Sequence, residues 1–291
     1  MVAYSGMRYD LRMLVLAGLA ALAAGAMAGL AAPALRRADL PAGAGDTTVD
    51  VELILAVDIS YSMDPDEQAL QREGYAAALT SPEFVNAVRQ GLHGKIVATY
   101  VEWAGTAEQK IVVPWRVIED RESAESFAYE IANVPYRRAY RTSISGMLQF
   151  AAPLFAQSGQ RGLRRVIDVS GDGANNHGTP VTIARDEVLA GGVTINGLPI
   201  MLKRPSSASM DIESLDVYYE DCVIGGPAAF VIPIRDRAQF KEATRTKLVL
   251  EVAGRAPPAR VAPASAAAPR ISCLIGERLW QQRWGGNPDF N

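Results

Sequence analysis

Asp58, Ser60 and Ser62 stand at alternate positions in Asp58-Ile59-Ser60-Tyr61-Ser62, directly after the apolar run of residues 51–57. One carboxylate and two hydroxyls in a tight loop form an all-oxygen cluster, a donor set that suits a hard divalent cation. A buried, unpaired carboxylate is costly, so Asp58 is expected at the end of a strand and not inside the core. Open α/β sheets take their ligands at that place, outside the carboxyl ends of the strands.

The elements that must position this cluster can be read in chain order. The run VELILAV has no polar alternation over most of its length, which suits a central parallel strand buried on both faces. Asp64 followed by Pro65 is a helix start, with Asp66 and Glu67 in the first turn, where negative charge suits the macrodipole or could reach the cation. That helix is expected to run to Leu79, and a short second one from Ser81 to Val88. Residues 95–103 and 110–115 are strand-like, and a link of six residues permits only an antiparallel hairpin. With its first arm parallel to the first strand, Trp103 comes to the rim of the site. There it would touch a ligand if exposed, or serve the core if half-buried.

Residues 122–134 are expected to be helical. The basic, aromatic loop 135–141 then leads to Thr142, which is expected to cap a helix carrying Met147, Leu148 and Leu154. Arg137, Arg138 and Arg141 flank the site as recruiters of an acidic ligand or as solvated loop residues. Residues 165–170 form a further strand, with Asp168 paired inside it and Asp172 in its exit loop. A helix at 179–190, a strand at 193–200, a helical segment at 210–219, a sixth strand at 228–232 and a helix at 237–252 follow. Strands alternating with helices predict an α/β fold. It is a doubly wound, mainly parallel six-stranded sheet with one antiparallel edge strand, Rossmann-like in layout. Right-handed crossovers bring the loops of Asp58, Thr142 and Asp172 to one sheet edge.

The Asp58-x-Ser60-x-Ser62 pattern at the end of a first strand resembles the metal-ion-dependent adhesion site of von Willebrand factor A domains. That resemblance implies a site completed by Thr142, in RTSISG, and by Asp172, in SGDG. It also implies a cation whose open position is filled by an acidic group of a protein partner. Mg²⁺ is the expected ion, with Mn²⁺ and Ca²⁺ as alternatives. More narrowly, the stretches LQREGYAAAL, YVEWAG, RTSISG, RRVIDVSGDGANN, INGLPI, YYEDCVIGGPAAFV and KLVLEVAG resemble a bacterial secreted family known as domain of unknown function 1194. Two departures stand out. Gly171 intervenes where a hydroxyl residue usually precedes the aspartate, leaving Asp172 to ligate directly or through water. Tyr61 replaces a frequent glycine between the two serines, and with Trp103 and Arg141 it is expected on the ligand rim.

The 291 residues allow a sizeable core, and a net charge of −3 without basic runs argues against nucleic acid or an anionic membrane surface as partner. Arg8 and Arg12 before an apolar, Ala-rich stretch make residues 1–34 a signal peptide, or an uncleaved N-terminal anchor as the alternative. Either way the folded part is exported, periplasmic or extracellular. In an oxidising compartment Cys222 and Cys273 are expected to pair, although two buried thiols remain the alternative. Residues 35–48 read as a linker, 49–254 as the von Willebrand A-like domain, 255–270 as a Pro/Ala linker and 271–291 as a docking segment.

The leading expectation is a binding module and not an enzyme. The rival is a metal-dependent hydrolase or phosphoryl-transfer enzyme, which has no GxSxG, P-loop or GxGxxG motif to support it. Its base would be His177, one of two histidines with His93. A third reading is a structural secreted domain without metal.

Overall fold

The computed structural model of the chain describes residues 47–203, 210–255 and 269–285. The apolar N-terminal stretch and most of both linkers lie outside the described residues.

The first strand, β1 (Thr48–Asp58), is buried from Val49 onward, as its unbroken apolar run demands. It sits at the centre of a five-stranded sheet with β2 (Ile96–Trp103), β3 (Gln109–Ile118), β4 (Arg161–Gly171) and β5 (Thr194–Pro199), in the order β3-β2-β1-β4-β5. All neighbouring pairs are parallel except β2 with β3, the hairpin. The chain leaves β1 to one side for β2 and to the other for β4. The crevice between β1 and β4 is therefore the topological switch point, where such sheets bind ligands.

Alternate side chains of β1 feed two cores. Val51, Leu53, Leu55 and Val57 face helices α1 (Pro65–Leu79), α2 (Pro82–Arg89), α3 (Arg121–Ala132) and α7 (Phe240–Ala253), meeting Tyr75, Phe84, Phe127 and Phe240. Ile54 and Ala56 face α4 (Ile144–Ala151), α5 (Val181–Ala190) and α6 (Leu215–Tyr218), meeting Met147, Leu148 and Val188. Asp64 caps α1 as expected, and its capping box with Glu67 satisfies two orphan amides at once.

Two expectations are corrected. Among the described residues there is no sixth strand: Val231 and Ile234 make isolated bridges to Gly197 and Ile200 alongside β5. Gly226 and Ala228 take left-handed backbone, and Pro227 and Pro233 supply no amide, so the segment cannot sustain a ladder. The helical segment at 210–219 is also shorter, being α6 followed by a π-helical turn at Tyr219–Val223.

That turn carries Cys222, which is bonded to Cys273 with the Cα atoms 5.4 Å apart. Beyond it lies the last helix, α8 (Ile275–Trp284). Among the described residues no helix is long and apolar enough to cross a membrane.

Candidate metal centre

Asp58 ends β1 opposite Trp103 and is fully buried. Its Oδ1 accepts the Ser60 amide at 2.7 Å, whereas Oδ2 has no hydrogen-bond partner among the described residues. Burial, followed by the negative charge of Asp172, pushes the Asp58 carboxyl well above the ordinary carboxylate range. The Ser60 hydrogen bonds offset this only in part.

The turn after β1 places Ser60 Oγ 2.7 Å from Ser62 Oγ, and Ser62 Oγ donates to Asp172 Oδ1 at 2.6 Å. Asp172, just beyond β4, is 5% exposed, and burial pushes it up to about 6 against the pull of Lys203 and Ser62. The β1 and β4 loops are thus joined through the very groups expected to share a cation.

Gly171 explains the departure from the usual pattern before the aspartate. A Cβ there would fall 2.8 Å from Asp58 Oδ2 and 3.0 Å from Asp58 Cβ, so no larger residue fits without displacing the carboxylate. The hydroxyl of Ser170 faces α1 instead and accepts from Gln71 Nε2 at 2.6 Å.

Thr142 is 4% exposed and is tied to the Asp172 loop at both its main-chain groups. Its amide donates to Asn176 Oδ1 at 3.0 Å, and its carbonyl accepts the Asn176 amide at 2.8 Å. Ser143, not Thr142, caps α4, accepting the Gly146 amide at 3.1 Å. This corrects the expected cap and leaves the Thr142 hydroxyl outside that role. The loop before it crosses back to the first one, since the Tyr61 amide donates to the Ala139 carbonyl at 2.9 Å.

Lys203 is the site residue that sequence reasoning missed. Its ammonium donates to Asp172 Oδ2 at 3.2 Å and to the Ser62 carbonyl, and it pairs with Glu67. Glu67 is accordingly held by a lysine and a capping box. The available signal was position: Lys203 leaves β5 on the same carboxyl edge as Asp58 and Asp172.

On the rim, Tyr61 is 46% exposed and stacks on Tyr140 at 4.3 Å, with Arg138 over the Tyr61 ring. Arg141 adopts left-handed backbone (φ 74°) and lies 3.2 Å from the Trp280 ring centre. Trp103 offers no contact surface. It is fully buried in the core beneath, among Ile54 and Met147, because β2 is an inner strand. His177 borders the same groove, and its Nδ1 accepts the Thr106 amide at 3.2 Å. Burial and the nearby Arg141 charge lower its pKa and favour the neutral ring.

Among the described residues no three His, Cys, Asp or Glu side chains converge in a metal-holding group. The expected set, two carboxylates with three hydroxyls, is all hard oxygens, and Asp58 Oδ2 is buried without a hydrogen-bond partner among the described residues. That chemistry fits a hard divalent cation better than a soft one.

Residues 48–256 match the family model described as Protein of unknown function (DUF1194). No curated protein matches the chain significantly in sequence. Among solved structures, proximal thread matrix protein 1 from the mussel byssus is similar at 15% identity, over 72% of this chain and 49% of that one, with a TM-score of 0.51. The same mussel protein with a zinc-occupied MIDAS motif is similar at 17% identity, over the same shares of the two chains, with a TM-score of 0.50. The pilus adhesin SpaC from Lactobacillus rhamnosus GG is similar at 12% identity, over 72% of this chain and 32% of that one, with a TM-score of 0.51. The chain spans about half the length of the mussel protein it matches. At these identities the likeness concerns the fold, a central, mostly parallel sheet with one antiparallel strand between helices, as in von Willebrand factor A domains.

Proposed function

From the premise that the chain belongs to the family described as Protein of unknown function (DUF1194) and has a von Willebrand factor A fold, we propose that it is an exported, metal-dependent protein-binding module. Asp58, Ser60, Ser62, Thr142 and Asp172 hold a divalent cation, directly or through water, with Mg²⁺ preferred and Mn²⁺ or Ca²⁺ accepted. When bound, the ion supplies an open coordination position for a carboxylate of the partner. The rest of the work falls to the chain. Asp58 and Asp172 provide the charge, the serines and Thr142 orient neutral oxygens, and the sheet edge holds the three loops together.

The observation that carries this reading is the buried Oδ2 of Asp58 with no hydrogen-bond partner among the described residues. An isolated anion there is costly, and a cation relieves the cost and the repulsion with Asp172 together. Two carboxylates facing a divalent ion, with neutral hydroxyls around it, leave the open position attractive to an acidic group. A protein partner also accords with the solved relatives, which by name are a byssal matrix protein and a pilus adhesin.

Export rests on the N-terminal apolar pattern, and the Cys222–Cys273 bond suits an oxidising compartment. No residue set for turnover is invoked, so the module is read as non-enzymatic, and contact with a membrane is limited to an N-terminal anchor if that segment is retained. The test is calorimetric titration of metal-stripped protein with Mg²⁺ and Mn²⁺, beside Asp58→Ala. Saturable binding lost in the variant supports the reading; equal affinity in both proteins refutes it.

A further inference from the structure

Helix α8 lies beside the candidate metal centre, held by three separate fastenings. Cys273 is bonded to Cys222, Arg270 pairs with Glu220 and Asp221, and Glu277 Oε1 accepts Asn175 Nδ2 at 2.8 Å, one residue before Asn176, which is tied to Thr142. Gly276 packs so tightly on this loop that a Cβ would fall 2.1 Å from the Asn175 carbonyl oxygen. Such contacts place the helix with the precision of a wall.

The space between that wall and the metal loops is a groove of about 1250 Å³. Ser60, Ser62 and Thr142 lie along it, with Tyr61 and Tyr140 on two adjoining loops and Trp280 and Trp284 on α8. Tyr61 stacks on Tyr140 and Trp280 tilts against Trp284, each pair with ring centres 4.3 Å apart. Tyr61 and Tyr140 are 46% and 71% exposed, and aromatic surface of that kind beside a polar centre marks a contact site. Lys203 is already paired with Glu67 and Asp172, so the charge facing the groove is set by Arg141 and Arg283 and by one carboxylate, Asp211. Its charge therefore favours an acidic occupant, and its size exceeds the roughly 300–1,000 Å³ usual for a small-molecule pocket.

We propose that the disulfide-fastened helix α8 is the second wall of the ligand site, and that the groove selects an acidic peptide segment with an aromatic side chain next to its carboxylate. The carboxylate is directed to the metal loops, and the neighbouring ring packs beside the Tyr61–Tyr140 pair and the Trp280–Arg141 stack. The inference rests on the metal-bridge reading for the carboxylate, and on α8 alone for the aromatic preference.

The experiment uses oxidised protein in Mg²⁺ and two capped peptides, acetyl-Gly-Trp-Asp-Gly-amide and acetyl-Gly-Ala-Asp-Gly-amide, titrated by calorimetry. The expected result is at least tenfold tighter binding of the Trp-Asp peptide. In Trp280→Ala, and in the Cys222→Ser/Cys273→Ser double variant, that preference falls below threefold while the affinity for Mg²⁺ alone is unchanged. Equal affinity for the two peptides, no binding of either, or a preference that survives Trp280→Ala overturns the proposal. So does free tryptophan amide binding as tightly as the Trp-Asp peptide. The two readings fail differently: absence of Mg²⁺ binding sinks the metal bridge, whereas a Trp280-dependent preference that persists in chelator leaves the groove standing without it.

Discussion

Glu251 sits on α7 inside a sealed charge cluster and offers a quantitative test of the fold beneath the site. It is 2% exposed, pairs with the fully buried Lys247 and accepts Asn196 Nδ2 at 3.0 Å, while Lys247 also holds Asp168 of β4. Burial, then the charge of Asp168, raises the Glu251 carboxyl from 4.5 to about 7 against the pull of Lys247 and Asn196. Between those two values the folded chain keeps a proton that the unfolded chain releases. This contribution to stability is therefore complete below the unfolded value and is lost as pH rises through the folded one. Integrated from pH 5 to pH 8, the loss is on the order of 2–3 kcal/mol. Glu251→Gln keeps the shape and the Asn196 contact but cannot titrate. Its stability relative to wild type should therefore rise by roughly 2–3 kcal/mol across the same interval. Urea denaturation of both proteins at pH 5, 6, 7 and 8, followed by circular dichroism and tryptophan fluorescence, measures this directly. Two stability curves running parallel over that range would refute the reasoning, because the glutamate would then titrate alike in folded and unfolded chains.

Three further outcomes are expected. Gly171→Ala forces a methyl to 2.8 Å from Asp58 Oδ2, so it should cost about 1–3 kcal/mol in chemical denaturation and weaken Mg²⁺ binding; an alanine variant with wild-type affinity would contradict the packing argument. Cys222→Ser with Cys273→Ser opens a loop spanning 51 positions and should remove up to about 4 kcal/mol, lowering the melting temperature by roughly 8–16 °C in calorimetry. Lys203→Met should raise divalent-ion affinity at least about tenfold. Removing an ammonium held 3.2 Å from Asp172 Oδ2 frees that carboxylate from a competing cation, and a tenfold gain corresponds to about 1.4 kcal/mol. Calorimetry with Mn²⁺ tests this, and unchanged affinity would place Lys203 outside the electrostatics of the site.

Much of this protein was legible one segment at a time. Asp58, Ser60 and Ser62 are local: an apolar run must end where a carboxylate appears, and the strand's end is the sheet's binding edge. The cap at Asp64, the hairpin of β2 and β3 and the exit loop at Asp172 follow equally from neighbours in sequence, whereas Asp168 found its partner in Lys247 of α7. The expected sixth strand failed for a reason written in the same segment, since Pro227, Pro233 and the left-handed turn at Gly226 outweigh the apolar pattern around Phe230.

Tertiary structure decided what lies far along the chain yet close in space. Trp103 is buried because β2 became an inner strand, which no property of its own segment dictates. Ser143 takes the helix cap because the backbone turns at Arg141, leaving Thr142 facing the loop of Asn176. Lys203 reaches Asp172 and Glu67 only once β5 has been laid beside β4, and Trp280 reaches Arg141 only once the disulfide and Arg270 have drawn α8 across the sheet edge. Periodicity and capping are short-range and act within a turn or a strand. The charge balance and the second wall of the groove come from packing between elements, so they existed nowhere in the sequence until the chain had folded.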